Sequence, residues 1–205
     1  KGTILGAAMA DYAKYGEKAP FKNILSMSEL KQLKPDELVQ MVKQLASFKH
    51  RVFYYGPAES NAIAGLLNKY HKTPPTLKDY PPAEKFLELP VAKNKVSFVD
   101  YDMVQVEMMM LSQGPQFDKS LLPYSSMFNE YFGRGLSSIV FQEIREAKAL
   151  AYSAYCSYDT PDKMSQPYYV KAYIGTQADK LKDASSAMLN LMNNMPEAEK
   201  QFQDA

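Results

Sequence analysis

Apolar residues recur every three or four positions in several parts of the chain, which is the spacing of an amphipathic helix. Leu5, Ala8, Met9 and Tyr12 follow it near the start, before the breaker Gly16. Pro35 then opens a helical pattern, with acidic residues beside the positive helix end. The helices predicted in this way cover residues up to about 15, 35–48, 60–70, 120–131, an interval beginning at 136, and 178–195.

Runs that alternate, or that are rich in aromatic and branched side chains, predict strands. They cover residues 51–55, 95–101, 104–112, 151–158 and 168–175. Beyond residue 90 the order is β-β-α-α-β-β-α with hairpin-length links and no alternating βαβ units. That order predicts an α+β fold in which helices pack on one face of an antiparallel sheet.

The segment 73–90 contains five prolines. Proline removes a backbone donor and disfavours helix in the residue before it, so we expect this segment to run extended as a linker. We therefore predict that residues 1–72, helices plus one strand, end a preceding domain. Residues 91–205 would form the α+β domain, truncated at its carboxyl end. Both ends of the chain lie inside apolar-periodic stretches, so we expect a segment of a longer protein.

Composition narrows the function classes. The 205 residues are 23% charged and 46% hydrophobic, with a formal net charge of +1, as in a globular domain. Basic residues are scattered among acidic ones, which argues against nucleic acid as a partner. No apolar run reaches the roughly 20 residues of a membrane span, so no membrane segment is expected. A single cysteine, Cys156, excludes an internal disulfide framework.

Nucleophiles and metal ligands form no catalytic pattern in this sequence. His50 and His71, the only histidines, are 21 residues apart, and we interpret both as surface or strand-edge side chains. Ser137 and Ser138 lack the G-x-S-x-G elbow and suit helix capping. Cys156 alternates within a predicted strand, which indicates buried packing. No cofactor site is expected in this segment.

Two further groups could contact a peptide. Met108, Met109 and Met110 could line an apolar groove, although packing in the core is the favoured interpretation. Tyr168, Tyr169 and Tyr173 lie in one predicted strand. If that strand were an exposed edge, it could pair with a substrate peptide by strand addition.

A longer pattern carries a family resemblance. Residues 131–155, YFGRGLSSIVFQEIREAKALAYSAY, resemble the signature of the carboxy-terminal, zinc-free half of the insulinase/pitrilysin family of zinc metallopeptidases. The flank SELKQLKPDELVQMVKQLASFKHRVFYYGP resembles the end of the preceding domain. The resemblance implies that zinc and the general base come from a complementary half bearing H-x-x-E-H, which this chain lacks. It also implies a peptide substrate and a location in the bacterial periplasm or cell envelope.

The resemblance implies that Arg145 and Tyr152 contact substrate from the side opposite the metal. A guanidinium is a multidentate donor, and a phenol can hydrogen-bond a developing oxyanion. An arginine near a helix end can instead interact with the last carbonyls, and a strand tyrosine is often core. Relatives often carry glycines where this chain has Gly133-Arg134-Gly135, and glycine where Ala149 stands. Arg134 would hinder the approach of a substrate or add a contact to it.

Two functions remain open. In the first, the chain is the non-catalytic, substrate-clamping half of a zinc endopeptidase whose two halves enclose a peptide. It would be inactive alone and would act with a catalytic half in the same protein or in a partner subunit. In the second, it is a catalytically dead scaffold that holds protein partners together. An H-x-x-E-H motif in the parent reading frame or an adjacent subunit favours the first.

Overall fold

The computed structural model describes residues 2–205, with side chains from residue 4 onward. The chain divides into two compact units. One combines Lys1–Phe21 with Glu88–Ala205, and the other is Lys22–Leu87. Each unit is described by itself below.

The unit Lys22–Leu87 contains three helices, α2 (Met27–Gln32), α3 (Pro35–Leu45) and α4 (Ser60–Tyr70). A capping box opens α2, where the Ser26 hydroxyl accepts from the Glu29 amide and the Glu29 carboxylate accepts from the Ser26 amide. Pro35 occupies the first turn of α3 as the sequence predicts. Both α3 and α4 are confirmed.

The strand predicted at residues 51–55 is wrong, because the structure gives these residues no regular secondary structure. Phe53 is 85% exposed and Tyr55 fully exposed. A strand needs a neighbouring backbone to satisfy its amide and carbonyl groups, and no partner strand lies beside this run in the described chain. The nearby pairing is an isolated bridge between Phe48 and Lys78.

The other unit begins with α1 (Gly2–Tyr15) and contains a sheet of β1 (Val106–Gln116), β2 (Ser153–Asp159) and β3 (Pro167–Thr176). The spatial order is β1-β3-β2 and both pairings are antiparallel. Met109 and Tyr155 both lie opposite Tyr173, which fixes the register. The strand predicted at residues 95–101 is wrong, because this run is irregular and exposed, with Val96 at 94%.

The helices that follow β1 and β3 pack on one face of this sheet, while Lys14 of α1 lies over Tyr169 on the other face. α5 (Leu122–Phe128) continues as the π-helix Asn129–Gly133, a second π-helix spans Phe141–Ala147, and α6 (Leu181–Asn193) and α7 (Glu199–Asp204) follow β3. Short 3₁₀ helices lie at Gly16–Lys18, Pro20–Lys22, Lys119–Leu121 and Ala178–Lys180. The core between helices and sheet is formed by a set of fully buried side chains that includes Phe132, Val140, Ile144, Cys156, Ile174 and Met188. This is the α+β architecture that the order of elements predicts.

The predicted division at a linker 73–90 stays a prediction. The structure groups α1 with the carboxy-terminal unit, although α1 precedes the other unit in sequence. Within that unit the Leu89 amide donates to the Lys14 carbonyl at 2.8 Å, which ties the end of α1 to the chain beyond residue 88. None of the helices within residues 2–205 is long and apolar enough to cross a membrane.

Candidate functional site

Arg145 lies in the π-helix Phe141–Ala147. π-Helical turns are rare and occur frequently at functional sites. Ile144, its neighbour, is fully buried in the core, so the helix is fixed against the sheet while Arg145 stays accessible. The guanidinium lies 4.8 Å from the Phe141 ring centroid, and its Nε is 3.7 Å from a Glu146 carboxylate oxygen. The side chain keeps 45% of its surface exposed, so it is accessible to a ligand.

The passage from this helix to β2 turns at Ala149. Its φ of 49° lies in the left-handed region, which glycine adopts without strain and other residues adopt at a cost. The next amide, of Leu150, donates back to the Ile144 carbonyl at 2.9 Å and closes the helix end. The conformation gives a physical reason for the glycine that the resemblance leads us to expect here.

Tyr152 immediately precedes β2. Its amide donates to the Gly175 carbonyl of β3 at 2.9 Å, so its backbone is held by the sheet. The Thr176 hydroxyl donates to the Leu150 carbonyl two residues earlier. The Tyr152 side chain is 53% exposed, which rules out the alternative that it is a core tyrosine.

Arg145 and Tyr152 line the same cavity, which has a volume of about 340 Å³. Its walls come from the end of the π-helix, the turn at Ala149 and the residues that follow β3. Two candidate residues seven apart in sequence therefore present a guanidinium and a phenol to one space. Such a space offers donors to peptide carbonyl groups.

Two residues that the sequence analysis missed also line this cavity, Gln177 and Lys180. The Gln177 side-chain amide donates to the Tyr152 hydroxyl at 2.8 Å, and the Lys180 ammonium donates to the Ala149 carbonyl at 3.0 Å. A signal for them existed in the predicted hairpin. The start of one antiparallel strand and the end of the next lie at the same edge of a sheet, which brings residues near 152 and 177 together.

Arg134, the third candidate residue, does not line the cavity of Arg145 and Tyr152. Its guanidinium pairs with the Asp159 carboxylate at 2.7 Å and borders a different cavity, of about 460 Å³. Burial opposes ionisation of Asp159, but the cations Lys171 and Arg134, at 3.1 and 2.7 Å, outweigh it and hold the pKa of Asp159 below its usual range. A substrate role for Arg134 stays a prediction, and the structure does not bring Arg134 into the cavity of Arg145.

The structure agrees with the interpretations given above for Ser138, Cys156, Met108 and Met110. Ser138 caps the helix that follows it, accepting from the Phe141 amide at 3.4 Å and donating to the Gly135 carbonyl at 2.9 Å. Cys156 is fully buried, and burial raises the pKa of its thiol to about 11, so it is no nucleophile at neutral pH. Met108 and Met110 pack against the core cluster.

His50 and His71 are surface side chains, as interpreted, but the structure brings them together. Their Nε2 atoms lie 2.6 Å apart, and the Nδ1 of His50 is 2.6 Å from the Phe48 carbonyl oxygen. Sequence separation alone did not predict this contact. Within residues 2–205, no group of three or more histidine, cysteine, aspartate or glutamate side chains is placed to hold a metal ion.

The idea that the tyrosine-rich strand is an exposed edge is wrong. β3 is the central strand, paired on both sides, so its backbone has no free edge for a peptide. Tyr168 and Tyr169 are buried, and the Tyr169 hydroxyl donates to the Glu88 carboxylate at 2.9 Å. Burial, followed by the Glu88 carboxylate, raises the pKa of Tyr169. The strand is structural.

The fold and site together define a helix-covered α+β domain with an accessible arginine and tyrosine at one sheet edge. A family model described as the peptidase M16 inactive domain matches residues 32–204. The chain belongs to this family, which confirms the resemblance to the zinc-free carboxy-terminal domain of insulinase-type peptidases. No curated protein matches the sequence.

Solved structures share the fold. A peptidase M16 inactive domain from Pseudomonas fluorescens is 20% identical over 98% of this chain and 48% of its own, with a TM-score of 0.60. A protease from Helicobacter pylori is 14% identical over 95% and 48%, with a TM-score of 0.64. The ferredoxin protease FusC in complex with Arabidopsis ferredoxin is 13% identical over 98% and 22%, with a TM-score of 0.63. The chain thus spans about half the length of the first two.

Proposed function

We propose that this chain is the substrate-clamping, non-catalytic half of a zinc-dependent endopeptidase, and that Arg145 and Tyr152 hydrogen-bond the bound peptide. The observation that carries the proposal is that both side chains line one cavity and are about half exposed. Membership in the inactive-domain family supports a partner half that supplies zinc and the general base.

The chemistry suits a peptide bond under attack. Negative charge grows on the scissile carbonyl oxygen as a tetrahedral intermediate forms, and a fixed donor stabilises that charge more than it stabilises the ground state. The Tyr152 hydroxyl is such a donor, while the Arg145 guanidinium can bind a neighbouring peptide carbonyl through two N–H groups. A polypeptide ligand also agrees with the FusC structure, which was solved in complex with a ferredoxin.

The proposal is tested in the assembled peptidase, with this chain joined to or mixed with its catalytic half. We expect Arg145→Ala and Tyr152→Phe each to lower kcat/KM on the order of a hundredfold, as the loss of one transition-state donor does. Zinc measured by elemental analysis should stay at its wild-type stoichiometry, because neither residue belongs to the metal site.

Matched controls are available on the surface. Arg51→Ala removes an exposed arginine of the other unit, and Tyr124→Phe removes the hydroxyl of an exposed α5 tyrosine. Both should leave turnover unchanged. Full turnover in the Arg145→Ala and Tyr152→Phe variants would contradict the clamp and favour the alternative of a scaffold that only holds protein partners together.

A further inference from the structure

The segment that follows β3 contacts the candidate site at two points. Gln177 reaches the Tyr152 hydroxyl through its side-chain amide at 2.8 Å. Three residues later, the Lys180 ammonium reaches the Ala149 carbonyl at 3.0 Å. These contacts join the segment to Tyr152 and to the turn at Ala149, which lies between Arg145 and Tyr152.

The direction of the Gln177 hydrogen bond decides what the phenol can do. A phenol hydroxyl carries one proton and can also accept. Because the Gln177 N–H donates to the phenol oxygen, the Tyr152 proton is left free to point at another acceptor. A carboxylate in the position of Gln177 would do the reverse, since an ionised carboxylate only accepts and would take that proton for itself.

The sheet register holds Gln177 in place. Ser153 lies opposite Gly175, and the Tyr152 amide donates to the Gly175 carbonyl, so Gln177 is two residues beyond the last position paired with β2. The Thr176 hydroxyl, which is buried, donates to the Leu150 carbonyl of the same neighbouring segment. Gln177 then begins the 3₁₀ turn Ala178–Lys180 with an extended backbone. Its position is therefore set by the contacts of Gly175 and Thr176 before it and by the turn after it, where the Lys180 amide donates to the Gln177 carbonyl at 3.1 Å.

Lys180 closes the arrangement. The carbonyl of Ala149 lies at a helix end, where backbone acceptors lack partners within the helix. The Ala149 carbonyl accepts a hydrogen bond from the Lys180 ammonium. This bond stabilises the left-handed turn and ties the turn to the segment that carries Gln177.

We propose that Gln177 is a positioning residue of this site, which fixes the Tyr152 hydroxyl as a hydrogen-bond donor toward bound peptide, with Lys180 holding its segment against the Ala149 turn. The inference rests on the substrate role proposed above for Tyr152. It adds the residue that orients the tyrosine and the direction in which the tyrosine proton points.

The kinetic test uses the assembled peptidase and the variants Gln177→Glu and Gln177→Leu. We expect Gln177→Glu to lower kcat about as far as Tyr152→Phe does, on the order of a hundredfold, with a smaller change in KM. Gln177→Leu, which removes the amide without adding an acceptor, should lower kcat less. Gln40→Glu, on the exposed surface of α3, is the matched control and should change neither constant.

The double variant separates positioning from a general structural role. If Gln177 acts only through the Tyr152 hydroxyl, the variant carrying both Tyr152→Phe and Gln177→Glu should turn over no more slowly than Tyr152→Phe alone. Losses that multiply in the double variant would overturn the proposal, because they would show that Gln177 acts by another route.

A spectroscopic readout keeps the two proposals apart. The chain is labelled with ¹³Cζ-tyrosine, and the Tyr152 resonance is assigned as the one that is missing from the NMR spectrum of the Tyr152→Phe variant. We expect Gln177→Glu to shift this resonance and Gln40→Glu to leave it in place. An unmoved resonance overturns the positioning role, whatever the kinetics. A moved resonance with unchanged turnover in Tyr152→Phe supports the contact and contradicts the proposed substrate role of Tyr152 instead.

Discussion

At the scale of single residues, Ala149 is a strained position beside the site. An L-residue in the left-handed region costs roughly 1–2 kcal/mol relative to glycine, while glycine costs about 0.4–1 kcal/mol more unfolded-state entropy. At Ala149, where φ is 49°, the strain that glycine relieves should exceed the entropy that glycine costs. We therefore expect Ala149→Gly to raise the free energy of unfolding by up to about 1 kcal/mol, as measured by denaturant titration.

The control for this substitution is Ala187→Gly in α6, where the backbone is helical. There glycine relieves no strain and brings its helix-propensity cost, so we expect a loss of about 1 kcal/mol. Destabilisation by Ala149→Gly of the size seen for Ala187→Gly would contradict the strain argument. Because the Lys180 contact is to the Ala149 carbonyl, the substitution leaves that hydrogen bond in place.

At the scale of elements, local pattern predicted the strands that pair within the described chain. Residues 151–158 and 168–175 became β2 and β3, which are neighbours joined by a short link. Residues 51–55 and 95–101 have equally strand-like composition but lie irregular and exposed. Composition reports how well side chains suit a pleated surface. A strand also needs a partner backbone, and that partner is often distant in sequence.

The need for a distant partner also explains why the sequence predicted two residues of the site and missed Gln177. The resemblance placed Arg145 and Tyr152 because they lie within one continuous pattern of residues. Gln177 belongs to the site through the pairing of β2 with β3, and no motif contains both it and Tyr152. The order of strands was also beyond local pattern, so the sequence left open an edge position for the strand of Tyr168, Tyr169 and Tyr173, whereas β3 is central.

The approach of a helical segment to β2 gives a prediction at this scale. Gly133 ends the π-helix Asn129–Gly133, is buried, and lies so close to β2 that an added Cβ would overlap the Cys156 carbonyl oxygen. The helix or the strand must move to admit any side chain. We expect Gly133→Ala to cost at least 2 kcal/mol of unfolding free energy, comparable to other overpacked core positions.

Gly6→Ala is the matched control for this substitution. Gly6 lies within α1, in the same compact unit, and an added Cβ would meet nothing within 4 Å. Alanine favours helix over glycine by about 1 kcal/mol, so Gly6→Ala should stabilise the chain. If Gly133→Ala proved as harmless as Gly6→Ala, the close helix–strand contact would be disproved.

At the scale of the whole molecule, the chain carries two histidines and no H-x-x-E-H motif. Zinc in a catalytic site is commonly held by three protein ligands, with a water at the open position. The His50–His71 pair supplies two nitrogens, and their 2.6 Å separation matches a hydrogen bond between the two rings rather than two bonds to one metal ion. The two histidines form a contact on the surface of the unit Lys22–Leu87.

We therefore expect the isolated chain to contain no stoichiometric zinc by elemental analysis and to hydrolyse no peptide until its catalytic half is added. The physical reason is that, in the proposed division of labour, the metal and the general base would both come from that half, and Arg145 and Tyr152 would supply hydrogen-bond donors alone. The control is a variant carrying His50→Ala and His71→Ala. A tightly held ion that disappears in this variant would show a metal site at the pair, and hydrolysis by the isolated chain would contradict the division of labour between two halves.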